Sequence, residues 1–87
     1  MDIMRVSGSS IPSKVAGAIA GVMRDTAHVE VQAIGASAVN QSVKAIAMAR
    51  KYLEHDGIEM IFFPELVDIE INNQLRTAIK FTVERRR

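Results

Sequence analysis

Four short stretches of the chain read as strands and two longer ones as helices, to judge by where apolar side chains fall relative to polar ones. Ile3 to Val6 is a short strand, ended by the polar loop Ser7-Ser10. Pro12 suits the first turn of a helix, where a missing N–H costs nothing. That helix runs to about Arg24, with Val15, Ile19 and Val22 at core spacing and with Gly17 and Gly21 one turn apart. Around Ala20 the glycines leave one face nearly bare, which predicts close contact with another helix. His28 to Ile34 forms a second strand, and a long amphipathic helix opens after Gly35 and closes near Glu54. Steps of about 100° per residue put Val39, Val43, Ile46 and Leu53 on the flank facing a core. Ser37, Asn40, Gln41, Lys44 and Lys51 fall opposite them, with Met48 among them.

The turn His55-Asp56-Gly57 leads into Ile58 to Phe63, apolar enough for a strand covered on both faces, and Pro64 then predicts a kink or the start of an edge segment. From Val67 the alternation is clean: Val67, Ile69 and Ile71, then Leu75, Thr77, Ile79, Phe81 and Val83. This pattern predicts a hairpin. A two-residue loop at Asn72-Asn73 would pair Ile69 with Arg76 and mix the faces. A three-residue loop, Asn72-Asn73-Gln74, pairs Ile71 with Leu75, Ile69 with Thr77 and Val67 with Ile79, and sets Arg76 opposite Glu70. The longer loop is expected, with Arg85-Arg86-Arg87 as a solvated basic tail. The order β-α-β-α-β-β with two right-handed crossovers places both helices on one face of a mixed four-stranded sheet, a two-layer α/β (α+β) sandwich.

Composition narrows the functional classes. The chain has 87 residues, enough for one small domain spanning residues 1–87, and 48% are hydrophobic, so a core of Val, Ile and Ala is expected. The absence of cysteine excludes disulfides, thiolate metal sites and thiol nucleophiles, and fits a reducing, cytoplasmic setting. The first residues lack the basic and apolar regions of a signal peptide. No apolar run approaches the ~20 residues that span a bilayer, so no membrane partner is expected. A net charge of +1 sets up no long-range field toward a polyanion, so any such binding must come from local clusters.

Chemistry of the catalytic kind is not indicated. His28 and His55 lack metal-ligand spacing, and Ser7-Gly8-Ser9-Ser10 is no nucleophile elbow. Asp56, Glu59, Asp68 and Glu70 are scattered over turns and the hairpin, and no glycine-rich phosphate loop occurs. A non-enzymatic protein without metal or cofactor is expected. The polar strip of the second helix offers hydrogen-bond donors and positive charge but no carboxylate. The helix start at Gly35 exposes free N–H groups that favour an anion.

Two ordered blocks, MDIMRVSGSSIPSKVAGAIAGVMR and QAIGASAVNQSVKAIAMAR, together with the ending TAIKFTVE, resemble the stage V sporulation protein S family over essentially the whole chain. The resemblance implies an Alba-like fold and a role in bacterial developmental regulation, chiefly endospore formation, without enzyme activity. Similarity to Alba chromatin proteins implies nucleic-acid binding. Within the Alba pattern, Gly35, Ala38, Val39, Ser42 and Val43 fit the start of the second helix and Pro12 fits the entry to the first. The paired lysines of that pattern are replaced by Ser10 and Ile11, and its flanking arginines by Ile34 and Ala36. Because such cations supply most nonspecific affinity, binding to DNA or RNA is expected to be weak unless a homodimer or higher even assembly multiplies the surface. The candidate contacts are Lys14, Ser37, Asn40, Gln41, Lys44 and Arg76. The alternatives are a module that docks another regulatory protein on the same surface or by strand addition, and a site for a small anion at Gly35, Ser37 and Asn40.

Overall fold

The computed structural model describes residues 3–86. Its elements follow the anticipated order: β1 (Ile3–Val6), α1 (Pro12–Asp25), β2 (His28–Ala33), α2 (Ala36–Glu54), β3 (Met60–Ile71) and β4 (Gln74–Arg85). The sheet order is β1-β2-β4-β3, with β1 parallel to β2 and the other neighbours antiparallel. Both helices cover one face. Ile19 and Met23 of α1 and Ile46 and Leu53 of α2 close over Val29, Val31, Phe81 and Val83 in a single core.

The helices meet through small residues, and that contact sets the rotation of each. On α2 the buried stripe is Ala38, Ser42, Ala45, Ile46, Ala49 and Leu53. Alanine lets α1 approach closely, so the alanine face turns inward and the valine flank turns out. Ile46 and Leu53 are therefore buried as expected, but Val39 is only half-buried and Val43 is 43% exposed, which corrects their assignment to the core. Buried Ser42 is satisfied locally, its hydroxyl donating to the Ala38 carbonyl at 2.9 Å.

On α1 the stripe is Ala16, Ile19, Ala20 and Met23, which leaves Val15 and Val22 half-buried. Gly17 and Gly21 are turned about 110° and about 150° away from the centre of that stripe. A Cβ at either would meet nothing within 4 Å, so the expected glycine contact with another helix does not form. Nothing offsets the propensity cost of glycine there, so Gly17→Ala is expected to stabilise the protein by about 0.5 to 1 kcal/mol in a denaturant titration.

The hairpin departs furthest from expectation. Its loop is the two-residue Asn72-Asn73, with φ of 51° and 63°, the left-handed pair of a type I′ turn. Asparagine tolerates that region better than most residues, and the turn's twist matches that of the strands. The register is therefore Ile71 with Gln74, Glu70 with Leu75, Ile69 with Arg76 and Leu66 with Ile79. The expected pairing of Arg76 with Glu70 is corrected, since these two residues point to opposite faces. Strand β3 runs unbroken through Pro64 as the sheet's outer strand, where a missing N–H is harmless. It is not covered on both faces, and Phe62 and Phe63 are 43% and 50% exposed.

The C-terminal arginines do not form a free tail throughout. Arg85 belongs to β4, and its guanidinium donates to the Met23 carbonyl at 3.0 Å, placing a cation at the negative end of α1. Arg86 lies 4.0 Å from Glu59, and Arg87 lies outside the described residues.

Candidate functional site

The polar strip of α2 begins at Gly35, whose φ of 89° and ψ of 159° lie where essentially only glycine is comfortable. Gly35 supplies no side chain to cap the helix, and the first turn holds no acid. The first turn of α1 likewise holds none. Among the first-turn N–H groups of α2, that of Val39 closes back on the Gly35 carbonyl at 3.0 Å.

The loop that enters α1 rests against this start. Ser7 and Ser10 brace it, with the Ser7 N–H donating to Ser10 Oγ at 2.9 Å and the Ser10 N–H to the Ser7 carbonyl at 3.1 Å. Gly8 packs so closely that a Cβ there would sit 2.8 Å from Ser37 Cβ. Gln41 Nε2 donates to the Gly8 carbonyl at 3.3 Å. Gln41, expected as a contact residue, is thus half-buried and already engaged in holding the loop.

Around this junction the structure gathers most of the expected residues. Ser37, Asn40 and Lys44 follow one another along the exposed side of α2, and Lys14 is exposed in the first turn of α1. Lys44, Lys51, Met48 and Pro12 line a shallow groove of about 430 Å³ between the two helices. Among the described residues Lys14, Lys44 and Lys51 form no ion pair, so their charges are free to meet an anion. Arg76 is not part of this group. Its register partner is Ile69, on the sheet face opposite the helices, which also carries Arg5. The cations therefore divide between the helix layer and the open sheet face. Lys51 and Arg5 were not among the expected contacts, although seven-residue spacing from Lys44 and strand alternation next to Val6 mark both.

The remaining titratable clusters are structural. His28 Nδ1 lies 3.3 Å from Glu84, and Lys80 lies 3.2 Å from Glu65 and 4.0 Å from Glu30, all on the open sheet face. Among the described residues no three His, Asp or Glu side chains form a metal-holding group, and no helix is long and apolar enough to cross a membrane.

Alba from Thermoplasma volcanium has a similar structure, with a TM-score of 0.63 at 17% identity over 97% of this chain and 100% of that one. The two proteins share the Alba-like fold of two helices on a mixed four-stranded sheet. The sequence profile described as stage V sporulation protein S (SpoVS) matches residues 2–86, so the chain belongs to the stage V sporulation protein S family.

Proposed function

We propose that this protein is a non-enzymatic regulator in the cytoplasm, of the sporulation type that its family name denotes, and that it binds nucleic acid as a dimer. The observation that carries the reading is the set of lysines that form no ion pair among the described residues, Lys14 in the first turn of α1 and Lys44 and Lys51, which share a groove with Pro12 at the start of α1, a helix start with no side-chain cap and no acid in its first turn. Phosphate is the matching chemistry, because cations and free N–H groups together favour it. The Alba-like fold supports the reading. Lys14 and Lys44 are the principal contacts, with Ser37 and Asn40 as hydrogen-bonding neighbours. Arg76 is a secondary contact on the other sheet face.

The test is a titration of the wild-type protein against duplex DNA, single-stranded DNA and RNA at rising salt. Binding should be measurable near 50 mM salt, and on duplex DNA its logarithm should fall with log salt by about 0.9 per phosphate neutralised. With so few free cations per chain the slope should be shallow. Absence of binding to all three probes at about 50 mM salt, a condition that favours phosphate contacts, overturns the reading. It would move preference to a module that docks another regulatory protein, which the net charge of +1 also suits.

A further inference from the structure

The open sheet face changes character along its length. Toward one end its charges are paired, with Lys80 lying 3.2 Å from Glu65 and 4.0 Å from Glu30, and His28 lying 3.3 Å from Glu84. Past the register row that joins Arg5, Gln32, Lys80 and Glu65, no acid follows on this face among the described residues. The acids of the hairpin arm, Asp68 and Glu70, alternate onto the helix side. Arg5 and Arg76 are left facing this second end. Among the described residues neither arginine takes part in an ion pair or a side-chain hydrogen bond, and the side chain of half-buried Gln32 has no partner either.

The apolar side of the arm turns toward the same place. Val67, Ile69 and Ile71 are half-buried although no helix lies on their side of the sheet, and Ala78, the register partner of Val67, is 1% exposed. A two-stranded ribbon twists more strongly than a wide sheet. That twist brings Ile69 and Ile71 of β3 round to Arg5 of β1, although β2 and β4 lie between the two strands in the sheet. The result is a hollow of about 240 Å³, with Ile34, Ile69 and Ile71 as its apolar wall and Arg5 and Gln32 as its polar side chains.

We infer that this hollow binds a small organic anion, a carboxylate or phosphate head on an apolar body. The guanidinium of Arg5 is a planar fork that takes two oxygens of such a head at once, and the Gln32 amide has donors for a third contact. Arg5 is exposed, so the fork is open to a ligand arriving from solvent. The isoleucines take the body. At the ~30 Å³ that each water occupies in the liquid, the hollow has room for about eight non-hydrogen atoms, a head with about four to six carbons. Other occupants fit less well. An inorganic ion leaves the isoleucines wet, a neutral apolar molecule leaves both the Arg5 and Gln32 side chains without a partner, and two arginines repel a cation. Lys14 and Lys44 lie on the helix layer across the sheet, so the inference stands or falls apart from the nucleic-acid reading.

The test is a titration of the labelled wild-type protein, followed by its amide NMR shifts, with hexanoate and with butyl phosphate. Inorganic phosphate and 1-hexanol are the controls. Shifts should centre on Arg5, Gln32, Ile34, Ile69 and Ile71, with a Kd of about 0.1 to 1 mM for the better anion, as befits a ligand of this size. The tighter of the two anions names the head. Both controls should bind at least tenfold more weakly, and Arg5→Gln and Gln32→Leu should each weaken the anion at least fivefold while the rest of the spectrum is kept. No shifts around the hollow at 10-fold this Kd range, equal binding of 1-hexanol, or indifference to Arg5→Gln overturns the inference. Shifts at Lys14 and Lys44 instead would assign the anion to the helix layer, and Arg5 and Gln32 amides that move on dilution of the protein alone would place a second copy in the hollow. Either result also overturns it.

Discussion

Replacing Ile46 with alanine is expected to lower the free energy of unfolding by about 2 to 5 kcal/mol, measured in a denaturant titration at fixed protein concentration. Ile46 is 2% exposed and sits where α2 meets the sheet, packed in the cluster that includes Ile19, Val31 and Phe81. Removing three carbons there loses their transfer free energy and leaves a cavity that a rigid two-layer core can only partly close. In a domain of this size, with total stability on the order of 5 to 15 kcal/mol, the change takes a large share. Lys44→Ala, two residues away on the exposed side, should move stability by no more than about 0.5 kcal/mol. Equal losses would mean that α2 presents a different face to the sheet.

Changing Lys14 and Lys44 together to glutamate is expected to abolish nucleic-acid binding while the fold is retained. Both side chains are exposed and unpaired among the described residues, so neither substitution breaks a native contact. At the phosphate backbone each exchange removes an attraction and installs a repulsion. A protein with few free cations has no reserve to absorb two such changes. Neutral replacements give a graded version, in which Lys14→Ala or Lys44→Ala should each flatten the slope of log affinity against log salt by about one unit on duplex DNA. Circular dichroism and fluorescence anisotropy on one preparation of the double mutant separate lost binding from lost folding. Unchanged affinity would rule out the helix-layer surface and direct attention to Arg5 and Arg76 on the open sheet face.

The candidate surface was largely legible before any coordinates. Ser37, Asn40 and Lys44 project outward because their spacing puts them opposite Ile46 and Leu53, and helical geometry alone places them there. Lys14 follows from its position one turn into a helix opened by Pro12. Periodicity could not reveal that Gln41 is engaged with the loop at Gly8, a contact between residues 33 positions apart. Nor could it separate Arg76 from the lysines, since the side an arginine faces depends on the register of its hairpin.

The sequence by itself determined the number, order and approximate limits of the elements, because helical and strand periods are local and Pro12, Gly35 and Gly57 punctuate them. It also determined the two-layer arrangement, since two right-handed crossovers in one direction put both helices on the same side. Three features waited for the tertiary structure. The rotation of each helix was decided by close contact between small residues, so Ala45 and Ala49 took the core from Val43 and Gly17 was turned out. The hairpin register was decided by the left-handed pair Asn72-Asn73, whose backbone preference outweighed the tidier apolar pairing of a longer loop. The exposure of Phe62, Leu66 and Leu75 was decided by length, because a hairpin about 40 Å long outruns a helix of about 28 Å and its apolar face continues past the layer that would cover it.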